Sequence, residues 1–268
     1  MLTALVAASS LVAGCGENAT PWTAGGEDPS ALCMPNLDGR IDFAELQSRI
    51  GQRGRYRRVL GPVDVDVDGT VDAQGRRVWD WRATPAGGTL EVEVAEPGWW
   101  RDEVPEATMA LPLGDADAGW ALASTDERGL WLHGVASAAG NPPGERTLLR
   151  YAAPIPALRF PFEVGDQWGA DVQTTGTLDG LPWQGSDHWR VQVDGNGKVL
   201  LPGLSAGPAL RVRTSVEVRS ALGPSKVQHQ TSLYFECLGE LGRAVTAPTD
   251  VGTPADYGAA AEQRILEP

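Results

Sequence analysis

Lysine is nearly absent from this 268-residue chain: Lys198 and Lys226 are the only two, and arginine supplies the rest of its 22 basic residues. Against 35 acidic residues the formal net charge is −13, a balance that repels phosphate backbones and excludes nucleic acid as a partner. Only three histidines are present, His133, His188 and His229, each isolated from the others in sequence. Neither a phosphate-loop motif nor a Cys-x-x-Cys pair occurs, so cofactor-dependent catalysis has no sequence support. Long helical stripes are missing too, whereas 33 Gly and 20 Pro point to many turns and short strands. A helical bundle is therefore excluded.

The first residues carry the most specific signal. Residues 2–12 form an apolar run too short to cross a bilayer, ending in Leu11-Val12-Ala13-Gly14-Cys15. This stretch resembles the lipobox of bacterial lipoproteins. The resemblance implies cleavage after Gly14, a diacylglycerol on the Cys15 sulfur and acylation, palmitate included, of the new amine, with two or more chains giving stable membrane anchoring. Gly16 in place of Asp implies sorting to the outer membrane, facing periplasm or cell surface. No basic residue precedes the apolar run, so the natural start is expected upstream of Met1. The expected division is a signal peptide over 1–14, a flexible tether over 15–32, a β-rich domain over 33–153, an antiparallel β domain over 154–248 and a tail over 249–268.

With Cys15 lipidated in an oxidising compartment, Cys33 and Cys237 are left as an even pair, either one disulfide or two buried thiols. Near Cys33, Asn36, Asp38, Gly39, Asp42 and Glu45 fall at the third, fifth, sixth, ninth and twelfth positions of a calcium loop. The segment resembles an EF-hand or dockerin-type loop, with Met34 where the first carboxylate belongs. The same residues also spell a helix start, Asp42 capping and Glu45 closing a capping box, with Phe43, Leu46 and Ile50 on one face. A second acidic stretch places Asp64, Asp66, Asp68 and Asp72 around Gly69 with Gly75 in the closing position. It reads either as a calcium loop or as a strand with one wet face that turns at Asp68-Gly69.

Beyond residue 77 the hydrophobic period stays near two. Residues 78–81, 90–94, 120–123, 130–135 and 147–151 read as strands, as do 171–177, 189–193, 210–219 and 227–236. Asp194-Gly195-Asn196-Gly197 is a hairpin signal, and the alternation through 210–219 requires one buried and one wet face. Trp79, Trp81, Trp131 and Trp189 belong to cores, and the Trp99-Trp100 corner covers a sheet. Residues 259–266 allow at most a brief helix. The fold class is all-β with antiparallel sheets, either two β subdomains or one curved half-barrel-like sheet, plus one short N-terminal helix.

Phe162-Glu163-Val164-Gly165-Asp166-Gln167-Trp168, the Leu201-Pro202-Gly203 turn, the Leu210–Thr214 strand and Leu233-Tyr234-Phe235-Glu236-Cys237 resemble phrases of myxobacterial-type envelope lipoproteins. That resemblance implies a curled antiparallel sheet and transfers no catalytic residue. The functional expectation is a non-catalytic, membrane-anchored lipoprotein that binds or scaffolds a lipid or an envelope protein. A calcium-stabilised adhesion module is the second reading, and an envelope hydrolase, which would need a pocket where a His meets a Ser or carboxylate, is the third.

Overall fold

The structure is a computed structural model and describes residues 33–47, 54–92, 96–113, 119–141, 145–221 and 223–267. Cys15, the signal peptide, the tether and Ile50 lie outside the described residues. A two-residue strand β1 (Arg40–Ile41) precedes the short helix α1 (Phe43–Gln47). Next come β2 (Gly54–Asp64), β3 (Thr70–Val71), β4 (Arg77–Asp80) and β5 (Gly88–Val92). A meander follows: β6 (Met109–Pro112), β7 (Trp120–Asp126), β8 (Gly129–Ala136) and β9 (Leu148–Arg159). After β10 (Phe162–Glu163) the long strands begin: β11 (Gln167–Leu178), β12 (Leu181–Leu201), β13 (Leu204–Ser220) and β14 (Lys226–Phe235). The chain closes with β15 (Gly239–Val245), β16 (Thr249–Asp250) and β17 (Ala259–Leu266).

All strands but β1 and β10 belong to one curved, half-barrel-like sheet whose main path runs β5-β2-β17-β15-β14-β13-β12-β11-β9-β8-β7-β6, with β16 on β14, β4 on β12 and β3 on β4. β1 and β10 pair separately as a small antiparallel sheet. Residues 33–268 form one compact unit, and the boundary expected after residue 153 falls inside β9. The expected tail is also structural, because β17 fills the gap between β15 and β2. Its Ala- and Glu-containing sequence favours a helix locally, but two neighbouring strands offer both of its edges hydrogen-bond partners.

The hairpin expected at residues 194–197 is another correction. These residues run inside β12, with ladder irregularities between Val193 and Gly195 and between Gly197 and Val199, and the chain turns instead at Pro202-Gly203. Gly197 serves close approach rather than reversal: β4 pairs in parallel with residues 197–200, and a Cβ on Gly197 would collide with the Arg77 carbonyl.

One core cluster joins Val65, Val67, Trp79 and Trp81 to Leu201, Leu233, Leu241 and Ile265. Another sets Ile41 of β1 and Leu46 of α1 against Phe160, Phe162 of β10, and Trp168, Val191, Val193, Leu210 and Val212 of the large sheet. Trp100 packs with Leu122 and Leu148 in a third. The Cys33–Cys237 disulfide, with Cα atoms 5.5 Å apart across a sequence separation of 204, ties the first described residue to the end of β14. Among the described residues no helix is long and apolar enough to cross a membrane.

Candidate functional site

The two acidic stretches have protein partners. Asn36 and Asp38 accept the amide hydrogens of Asp38 and Arg40, and the Glu45 carboxylate accepts from the Asp42 amide at 2.9 Å, closing the capping box of α1. Arg40 reaches Asp42 at 3.3 Å. Burial, with Glu236 close by, pushes the Glu45 carboxyl up, while the Glu236 carboxylate accepts from the Leu37 amide at 2.7 Å. In the second stretch Asp66 accepts from the amides of Asp68 and Gly69, Asp72 accepts from Gln74 and Arg76, and Asp64 ends β2 opposite Ala259. The Asp68 carboxylate meets Arg211 and Arg213. Guanidinium groups thus stand at the carboxylate where the sequence suggested a cation. Among the described residues no three His, Cys, Asp or Glu side chains form a metal-holding group.

Arg211 and Arg213 also correct the expectation of a wet face along β13. Arg211 is 4% exposed; its Nε and Nη2 grip both Asp194 oxygens at 2.7 and 3.0 Å, and its Nη1 donates to the Val67 carbonyl at 2.7 Å. Trp79 lies under its guanidinium at 5.8 Å. Arg213 joins Asp194 at 3.0 Å and also pairs with Asp256. Five charged side chains therefore lock the 65–69 loop and the 250–257 segment onto β12 and β13.

The register of β11 to β14 arranges one face of the sheet in cross-strand rows, since directly paired residues share a face and rows recur every two residues, roughly 6.7 Å apart. Successive rows read Gln173–Ser186–Arg219, Asp171–His188–Glu217–Val227, Gly169–Arg190–Ser215–His229 and Gln167–Gln192–Arg213–Thr231. The last two rows line a cavity of about 370 Å³, walled on one side by Ala255. Three contacts fix that wall: Arg213 with Asp256, His229 Nε2 with the Thr253 carbonyl at 3.2 Å, and the Tyr257 hydroxyl with the Ala244 carbonyl at 2.8 Å. Donation from Nε2 leaves the lone pair of neutral His229 on Nδ1, which has no hydrogen-bond partner among the described residues. Gln167, Gln192, Ser215 and Thr231 thus border one space beside Arg190, whose guanidinium is held by Asp171, and Arg213, whose guanidinium is held by Asp68, Asp194 and Asp256, an arrangement with side chains able to hydrogen-bond a polar ligand. A second cavity, about 280 Å³, borders Arg55, Arg57 and Ile265, where Glu267 pairs with both arginines.

The histidines find partners that sequence proximity does not give. His188 faces away from its neighbour Asp187 and toward Asp171 across the ladder, Nδ1 to Oδ1 2.9 Å, with Ser186 Oγ 3.4 Å from Nε2. Arg190 reaches the same Asp171 oxygen at 2.8 Å, and these two partners hold the Asp171 carboxyl below its usual range. Asp187 lies on the other face between Val172 and Val218, where burial pushes its carboxyl up and the Thr174 hydroxyl offsets part of that effect. His133 meets Ser124 at 2.8 Å, and burial lowers its pKa. One motif escaped the sequence reasoning: Gly203-Leu204-Ser205-Ala206-Gly207 has the spacing of a nucleophile elbow. Ser205 sits in a hairpin arm opposite Leu200, with a strand and not a helix after it, so the strained strand-to-helix turn of that motif is absent here.

The four assigned tryptophans divide: Trp79 and Trp81 are fully buried and cap the Val67 and Asp66 carbonyls, while Trp131 and Trp189 are half-buried. Trp100 is buried, and Trp99 stacks under Arg146 at 4.7 Å. Comparison of the chain with protein-family models, with curated proteins and with solved structures found no match.

Proposed function

We propose that this chain is a membrane-tethered binding protein of the bacterial envelope, anchored through lipidated Cys15 and carrying a polar ligand in the cavity on the β11–β14 face. The observation that supports the binding role is the convergence of Gln167, Arg190, Gln192, Arg213, Ser215 and Thr231 on one space whose far wall is held by ion pairs and hydrogen bonds. Pre-set walls of this kind reduce the ordering cost of binding. Hydrogen-bonding side chains edge the cavity, and the apolar face of the same strands is covered in part by Ile41, Phe43 and Leu46.

The anchor rests on the sequence around Cys15 alone. Its test is fractionation: Cys15→Ser is expected to move the protein from the membrane pellet to the soluble fraction, and retention in the pellet would overturn the tether. The cavity is tested by thermal-shift screening against polar metabolites, with Ser215→Trp as a plugged variant. A ligand that raises the melting temperature of the parent chain and not of Ser215→Trp supports the site; equal shifts in both place binding elsewhere.

A further inference from the structure

We infer that Ser186, His188 and Asp171 form a nucleophile, base and orienting carboxylate able to hydrolyse a carboxylic ester, an activity beyond the binding role. The three come from two paired strands: Ser186 and His188 are two residues apart on β12 and share a face, and Asp171 stands opposite His188 on β11. Asp171 accepts the Nδ1 hydrogen of His188, which leaves the lone pair on Nε2, the atom 3.4 Å from Ser186 Oγ. This is the tautomer able to take the serine proton. Arg190 on the same Asp171 oxygen keeps that carboxylate charged and in place.

His133 touches Ser124, but none of its described hydrogen bonds goes to a carboxylate; His229 meets a carbonyl. His188 therefore combines the two contacts that acyl transfer needs. Ser186 and His188 are half-buried, and Arg219, the cross-strand partner of Ser186, holds its guanidinium on Glu217, the residue opposite His188. Ser186 is half-buried and lies outside the cavity lining, which suits an ester on an extended, accessible chain.

The chemistry closes without a cofactor. Ser186 Oγ bonds to the ester carbonyl carbon as its proton passes to His188 Nε2; the carbon–oxygen bond to the alcohol breaks, and the alcohol leaves with that proton. Water then bonds to the acyl carbon, giving a proton to Nε2. The Oγ–acyl bond breaks, Oγ recovers the proton, and a carboxylic acid departs.

The test is active-site labelling of the full-length, detergent-extracted protein with a fluorophosphonate, the adduct located by peptide mass spectrometry, alongside turnover of p-nitrophenyl butyrate. The inference expects one adduct, on Ser186, with labelling and turnover falling about a hundredfold in His188→Gln. Asp171→Asn, a change at a positioning residue, is expected to lower kcat with KM unchanged, and Asp171→Glu to restore part of it. Asp171 is exposed and Ser186 and His188 are half-buried, and unchanged melting temperatures of the variants report intact folding. An unlabelled parent protein, an adduct on another serine, or Ser186 labelling indifferent to His188→Gln overturns the proposal. Because Ser186 lies outside the cavity lining, its adduct and the dependence of that adduct on His188 separate this proposal from the binding one, whereas the Asp171 variants also touch the lining residue Arg190.

Discussion

Trp79 joins a core cluster, a buried carbonyl and a buried guanidinium with one side chain. It is 0% exposed, its ring packs among Val67, Val199, Leu201 and Leu233, its Nε1 caps the Val67 carbonyl at 3.2 Å, and Arg211 lies over its face. Trp79→Ala is expected to cost roughly 3–5 kcal/mol in urea unfolding, since it leaves a large cavity and takes from the Val67 carbonyl one of its two side-chain donors, Arg211 being the other. Asp187 predicts the opposite sign. Its carboxyl is pushed up by burial, so the ionised form disfavours the fold at neutral pH, and that penalty fades as pH falls through the raised value. Asp187→Asn should therefore raise the melting temperature at pH 7, with the advantage shrinking toward pH 4; a lower melting temperature at pH 7 would refute the assignment. The sequence makes the Trp79 role legible through its strand pattern. It cannot show that Asp187 and His188 part company, because adjacent strand residues face opposite ways and only the β11–β12 register reveals that Asp171 is the histidine's partner.

At the scale of elements, β12 explains most of what sequence reading finds and misses. Its 21 residues pair with β13 along nearly their whole length, while its other edge is shared, β11 taking residues 181–192 and β4 taking 197–200. Asp194-Gly195-Asn196-Gly197 tolerates a turn, so local chemistry alone predicts a hairpin; a long-range contact with β4 decides otherwise. Gly197→Val should displace β4 and cost about 1–3 kcal/mol, with faster hydrogen exchange in residues 77–80 as the specific sign. The alternation of 210–219 is legible as a strand, yet the burial of its arginines is not, because Asp194, Asp68 and Asp256 come from distant segments. Arg211→Met should cost roughly 3 kcal/mol by leaving Asp194 with fewer partners. The companion change Asp194→Ala in the Arg211→Met background should add little more, and a double-mutant cycle measures that coupling.

For the whole molecule, one sheet of long-range pairings is closed by one covalent link. Loop-closure entropy over 204 residues assigns the Cys33–Cys237 bond about 5 kcal/mol in the ideal chain, and replacing both cysteines by Ala should cost roughly 2–5 kcal/mol. Acid acts through a second device: burial alone pushes Glu240 up, but Arg243 and Arg264 outweigh it and hold the carboxyl at about 2. Because this value lies below the ordinary 4.5, the stability it contributes is complete above 4.5 and is lost as pH falls from there toward about 2; Glu240→Gln should flatten that limb. The all-β class and the disulfide follow from period, turn residues and cysteine arithmetic, whereas the cavity follows from four strands in register and has no local signature. The central claim is that this cavity holds a polar ligand on a membrane-tethered body. Native mass spectrometry of the full-length protein, extracted from membranes with its own signal, tests it most directly. The account predicts an acylated chain carrying one further polar mass that is missing from Ser215→Trp; a clean acylated mass, or a retained lipid that Ser215→Trp keeps, would contradict it.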